Sequence, residues 1–329
     1  MKAIKILTMA ALATAVFASC SNDEDLAQSN YPADNVVRIM TSVDGMNTRA
    51  SYGNSTDKLK SFGFCIKNAN STTYTYDNVK VTKEGSNWNP ATQMFWQNST
   101  TAVDILAYAP YQETTEDATG KVKVFGKTDY AFSVKEDQSN AEDYSSDLIV
   151  YKKTGFKPGS ELNTSKAVDV TFTHLLSQLN LTIELRDQFN QDEKKPVTSA
   201  TVTDVKVDGT FIRSKVNFAA DPISVRFDGR ASKAITPETV AFTKADKTTD
   251  HATFKYSAIV IPQKVYAGQL CIKFKVDGTD YIWTGTDDAL FESGKKYELH
   301  LLVGKDVVQG GAITAKPWGE ETIIEKETD

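Results

Sequence analysis

Hydrophobic and polar residues alternate with a period of two along much of this chain. In AVDVTFTH, Val168, Val170 and Phe172 alternate with Asp169, Thr171 and Thr173. A little further on, Leu179, Leu181, Ile183 and Leu185 alternate with Asn180, Thr182, Glu184 and Arg186. KYELHLLV repeats the pattern, with Tyr297, Leu299, Leu301 and Val303 on one face. This period describes a strand with one face on a core and one in water. Two alternating runs flank Asp277-Gly278, a dipeptide that suits a type I′ hairpin turn, and VTDVKVDGTFI carries the same dipeptide at Asp208-Gly209. No stretch combines helical spacing of apolar residues with caps, although AEDYSSDLIV could hold a short helical turn before a strand. Many short strands separated by Gly, Asn and Asp turns predict an all-β protein built from antiparallel β-sandwiches.

The 329 residues suggest two domains, because single cores seldom grow much beyond about 250 residues. The clearest boundary is GFKPGSELNTSK, Gly155 to Lys166, which is polar, rich in Gly, Pro and Ser, and flanked by strand-like DLIVYKK and AVDVTF. It predicts sandwiches over residues 50–160 and 161–329.

The first twenty residues carry a different signal. Lys2 and Lys5 form a positive start, Ile6 to Ala18 form an apolar run too short for a comfortable membrane span, and FASC follows with Cys20. Small residues before a cysteine resemble a bacterial lipobox, in which the cysteine becomes the lipidated first residue of the mature chain. Residues 1–19 would then be the leader, and the membrane would be touched only through the lipid anchor. The acidic run SNDED (Ser21 to Asp25) is either a solvated linker or an outward-sorting tag on such a lipoprotein. The balance of 37 basic and 43 acidic residues gives −6, and no basic run offsets it, which argues against nucleic acid as a partner.

Little in the chain points to chemistry. The remaining cysteines, Cys65 and Cys271, lie far apart in apolar strand patterns, where a disulfide framework or a zinc site is not expected. His174, His251 and His300 have no neighbouring catalytic motif and read as structural. Asp143 with Asp147, or Asp287 with Asp288, could in principle form a glycosidase pair, but sequence alone does not bring them to the required separation. Trp88, Trp96, Trp283 and Trp318 are scattered; NWNPATQMFWQ is the densest aromatic stretch and a candidate for sugar contact. No cofactor and no metal is expected.

Several stretches, taken in order, resemble the fimbrillins, the pilin subunits of Bacteroidales-type bacteria. They are Cys20 with its acidic tail, the early strand ending in NTRA, AYAPY, SDLIVYKK, VTFTHLLSQLNLTIEL, GKKYELHLLVGKD and GAITAKPWGEE. The resemblance implies two transthyretin-like β-sandwiches in tandem and a structural, adhesive role without catalysis. It also implies export as a surface lipoprotein and cleavage by a trypsin-like protease after Arg49, before Ala50. The cut would release a first strand containing Val36, Val37, Ile39, Thr41 and Val43, so that residues 20–49 form a lipidated propeptide. Arg38 is a competing site, but a cut there would sever the strand. An extended segment of another fimbrial subunit would then fill the vacated groove, the C-terminal stretch with Ile313, Ala315, Trp318 and Ile323 being the candidate donor. The alternative is a monomeric surface lipoprotein that binds glycans and keeps its first strand. The ligand on a host or bacterial surface, and the choice between stalk, anchor and tip, stay open.

Overall fold

The computed structural model describes residues 30–43, 56–113, 124–191, 194–229, 232–311 and 313–317. Its first part comprises β1 (Ile39–Val43), β2 (Ser61–Lys67), β3 (Tyr76–Glu84), β4 (Asn87–Pro90), β5 (Val103–Ala109), β6 (Tyr130–Ser133), β7 (Ile149–Phe156), α1 (Pro158–Glu161) and β8 (Val168–His174). The second part begins with β9 (Ser177–Leu185), β10 (Val202–Asp208), β11 (Arg213–Asn217), β12 (Ser224–Phe227), β13 (Glu238–Thr243) and β14 (Ala252–Val260). It continues with β15 (Gln263–Val265), β16 (Cys271–Val276), β17 (Thr279–Thr284), β18 (Ala289–Phe291), β19 (Lys295–Val303), β20 (Val308–Gly310) and β21 (Thr314–Pro317).

These strands form an all-β sandwich architecture. One sheet has seven strands in the order β1-β8-β7-β5-β2-β3-β4, and another has six in the order β13-β14-β9-β19 followed by β20, with β21 on the same side of β19. Two three-stranded sheets, β10-β16-β17 and β12-β11-β6, and the pair β15-β18 complete it. Neighbours are antiparallel except for β1 with β8 and β9 with β19.

The core explains which strands alternate and which do not. Phe62, Phe64, Ile105 and Ala107 face one cluster together with Val168, Val170 and Phe172. Cys65, Leu106 and Tyr108 face the other way, into a second cluster shared with Leu181, Ile183, Leu299 and Leu301. The central strands β2 and β5 are therefore covered on both faces, and their sequences run as nearly unbroken apolar stretches. In β8, burial alternates strictly, as its sequence does.

Asp277 and Gly278 both have positive φ, 50° and 82°, and join β16 to β17 as the expected two-residue hairpin. Asp208-Gly209 differs, because β10 pairs with β16 and not with the strand that follows it. A β carbon on Gly209 would lie 1.9 Å from the Gln269 carbonyl oxygen. The glycine there serves a close backbone approach rather than a hairpin.

The expected linker behaves differently too. Gly155 to Lys166 carries the end of β7, then α1 and a turn, and connects two antiparallel neighbours of one sheet. The chain passes to the six-stranded sheet only at Leu175 and Leu176, between β8 and β9. A polar surface connection and an interdomain linker share one composition, so periodicity could not separate them. The two parts are also interlaced. β6 pairs with β11, and the Gln138 side chain bonds the Ile259 amide at 2.8 Å and its carbonyl at 2.9 Å. AEDYSSDLIV forms turns before β7 and no helix.

Candidate functional site: the first strand and its seat

The first strand enters the sheet in two stages. Asn35 has φ 57° and turns the chain. Its carbonyl then accepts from the Trp96 amide at 2.8 Å, while the Val37 amide donates to the Met94 carbonyl at 3.0 Å. At Arg38 the partner changes. The Val168 amide donates to the Arg38 carbonyl at 2.8 Å, and β1 runs parallel to β8 from Ile39 opposite Val168 to Val43 opposite Phe172.

Side chains alternate as the sequence predicts. Val37, Ile39 and Val43 are buried in the cluster beneath the sheet, and Met40 and Ser42 face outward. Burying an aliphatic side chain of this size contributes about 1.5–3 kcal/mol, so these three residues add substantially to the attachment made by the ladder with β8. Thr41 points inward with them, and its hydroxyl is buried without a hydrogen-bond partner. Val36 is half-buried in its bridge to Phe95.

Among the described residues, no strand lies beside the outer edge of β1. It borders a cleft of about 880 Å³ whose far wall includes Trp88, Asn89 and Pro90 of β4, the opposite edge of the same sheet. The seven-stranded sheet thus curls until its two edges face each other. At the cleft's rim Arg38 pairs with Asp34 at 2.6 Å. The Arg38 hydrogen bond, helped by the Val36 amide, holds the Asp34 carboxyl down at about 2.

The C-terminal candidates fall on a second edge. Ala315 pairs with Tyr297 through β21, and Ile313 packs against the larger core. β20 pairs with the other end of β19, and the Gly311 amide between the two strands donates to the His300 carbonyl at 3.1 Å. The indole of Trp283 lies against Gly310 and lines a cleft of about 550 Å³ between β17 and this terminal segment. Cys20, Arg49, Ala50, Trp318 and Ile323 lie outside the described residues.

The residues considered for chemistry take structural places. His174 Nδ1 and Asp147 Oδ1 are 2.9 Å apart and fully buried where β8 ends. Asp143 pairs instead with Lys135, and Asp288 with Lys264 at 2.8 Å. Trp96 is 2% exposed and stacks on Phe156, while Trp88 packs edge-on against Phe62 with ring centres 5.0 Å apart. The aromatic stretch NWNPATQMFWQ therefore contributes largely to packing rather than to a sugar platform. Cys65 is buried and Cys271 half-buried, both as free thiols. Periodicity gave no signal for the convergence of His251 and His300 on Glu184, which depends on strand pairing alone.

The sequence profile of the fimbrillin-like family matches residues 48–318, and this chain belongs to that family. Its fold is similar to a candidate cell adhesion protein from Bacteroides uniformis, at 20% identity and a TM-score of 0.55, covering 87% of this chain and 99% of that one. It is also similar to a candidate cell adhesion protein from Bacteroides ovatus, at 12% identity and a TM-score of 0.62, with the same coverage of 87% and 99%. A fimbrial protein from Bacteroides vulgatus matches at 17% identity and a TM-score of 0.50, over 86% of this chain and 99% of the other. Among curated proteins there is no match. No helix among the described residues is long and apolar enough to cross a membrane.

Proposed function

We propose that this chain is a subunit of an adhesive surface fimbrium and assembles by exchange of its first strand. The single observation that carries the reading is the attachment of β1. Among the described residues it has one ladder partner, β8; its buried Ile39 and Val43 continue an inward row begun by Val37 just ahead of it, and its other edge meets a cleft. Taking away such a strand bares the backbone groups of β8 together with an apolar slot, and an extended segment of another chain repairs both. A head-to-tail contact of this kind builds a filament rather than a closed oligomer.

In this reading Cys20 anchors the exported precursor by lipid, and a trypsin-like protease cuts between Arg49 and Ala50. The released piece includes Val36 to Val43. Donation by Ile313 and Ala315 requires β21 to leave β19, and the stretch containing Trp318 and Ile323 follows directly behind it. The partners are other fimbrial subunits and the maturation protease.

The test uses the chain without its leader, treated briefly with trypsin and followed by mass spectrometry and electron microscopy. Cleavage at Arg49 and concentration-dependent fibres are expected, with Arg49→Ala folded but monomeric. A cleaved chain that stays monomeric at high concentration sinks the proposal.

A further inference from the structure

The second cleft lies where β17, the turn into β18 and the terminal strands meet, and its volume of about 550 Å³ is in the range of small-molecule sites. Trp283 forms its aromatic wall. The side chain, opposite Ile272 in the β16–β17 ladder, packs partly on the larger core, and Gly310 lets the terminal segment run against the pyrrole side of the indole. The backbone beside it is pinned. The Gly285 amide donates to the Leu270 carbonyl at 2.9 Å, and the Gly285 carbonyl accepts from the Gly268 amide at 2.8 Å. Asp288 ties down the following turn, accepting from the Ala267 amide at 3.0 Å and pairing with Lys264 at 2.8 Å. Its neighbour Asp287 is exposed and lines the cleft. Among the described residues, that carboxylate accepts only from the Thr286 hydroxyl, at 3.3 Å.

We propose that this cleft binds an uncharged pyranose residue of a glycan. One face of such a ring carries C–H groups that pack on an aromatic side chain, while its rim of hydroxyls needs hydrogen-bond partners. Trp283 supplies the packing surface, and Leu290, 56% exposed on the same cleft, extends it. Asp287, Thr284 and Thr286 supply the polar groups. A carboxylate has the lone pairs to accept from two adjacent hydroxyls at once. The pinned turn sets Asp287 in place before a ligand arrives, so little ordering is left to oppose binding. Two carboxylates at the cleft of a chain with net charge −6 repel anionic sugars, which limits the ligand to uncharged ones. The site is separate from NWNPATQMFWQ, where Trp88 and Trp96 are engaged in packing.

The test uses the uncleaved, leaderless chain, so its outcome is independent of strand exchange. Methyl glycosides of glucose, galactose, mannose and N-acetylglucosamine, and trisaccharides of each, are titrated by NMR against the Trp283 indole N–H signal, assigned through Trp283→Phe. Saturable movement is expected with at least one neutral sugar, at a Kd of about 1 mM or below, and none with a uronic-acid trisaccharide. Trp283→Ala and Asp287→Ala should each weaken binding by about tenfold or more. Thermal melting of each variant shows that it is folded, and Trp283→Phe, which keeps a ring, should retain part of the affinity. The proposal is overturned if no neutral sugar of the panel moves the signal, if binding survives Trp283→Ala, or if the anionic sugar binds as well. A cleft that takes a synthetic peptide of residues 36–43 and no sugar is a strand acceptor, which overturns it too.

Discussion

The Val168 amide donates to the Arg38 carbonyl at 2.8 Å, so the parallel ladder of β1 begins at the peptide bond a trypsin-like protease would attack after Arg38. The Arg38 side chain is accessible, but it is paired with Asp34, and its backbone must leave the sheet before a protease can extend it. Brief trypsin treatment is therefore expected to spare the Arg38–Ile39 bond until the strand is displaced. Mass spectrometry of the fragments checks this. Early cutting after Arg38 in the folded chain would show that β1 frays from its own end, and the released piece would not be a whole strand.

Thr41 is the weak point of the inward row. Its hydroxyl is buried without a partner between the aliphatic side chains of Ile39 and Val43. A buried unsatisfied hydroxyl costs about 1–3 kcal/mol, and valine has nearly the same shape without it. Thr41→Val is expected to stabilise the chain by about 1 kcal/mol, at the lower end because the residue is only half-buried. Ile39→Ala should remove about 2 kcal/mol or more. Urea midpoints measure both. If β1 is a removable plug, Thr41→Val should also slow fibre formation after cleavage, whereas equal midpoints for Thr41→Val and the parent chain contradict the account of the hydroxyl.

The hydrophobic pattern made most of this legible. The alternation Val37, Ile39, Thr41 follows directly from a period of two, and so does the pairing of β16 with β17 around Asp277-Gly278. What the pattern could not show was which strand lies beside which. β8 reads as the start of a second domain, yet among the described residues its strand neighbours are β1 and β7 of the first sheet. The meeting of Glu184 with two histidines is hidden for the same reason, since His251 and His300 come from places distant in sequence. Trp96 belongs to the densest aromatic stretch, the candidate for sugar contact, but it packs on Phe156 of β7. Long-range pairing is decided by the whole core, and local periodicity contains little of it.

Gly310 is the residue that lets the terminal strand close. A β carbon there would sit 2.1 Å from Trp283 Nε1, and one added at Gly285 would lie 3.3 Å from the same ring's Cη2. The ring must shift to admit a β carbon, so Gly310→Ala is expected to cost about 1–3 kcal/mol through overpacking. Adding Trp283→Ala should recover much of that loss, as contacting residues couple in a double-mutant cycle. Hydrogen exchange across residues 308–317 should quicken in Gly310→Ala alone. An unchanged exchange rate and midpoint would mean that the indole leaves easily and does not hold the C-terminal segment in place.

Acid should loosen the entry of the first strand. Asp34 is held down at about 2, from an ordinary 3.8, chiefly by its hydrogen bond to Arg38 and then by the Val36 amide. A carboxyl depressed in the folded state contributes stability that is present above its unfolded value, near pH 4, and lost as pH falls through about 2. The turn at Asp34–Val37 is thus insensitive to pH between 5 and 8 and weakens between about pH 4 and pH 2. A carboxyl-detected NMR titration should place Asp34 well below the free-carboxylate range. Because Arg38 is the largest cause, Arg38→Gln should move Asp34 most of the way back toward 3.8, leaving the backbone amides of Val36 and Asp34 to lower it. An Asp34 that titrates alike in both chains would mean that the ion pair with Arg38 does not persist in solution, and the strand's N-terminal entry would then rest on the backbone bonds of Val37 to Met94 and Trp96 to Asn35.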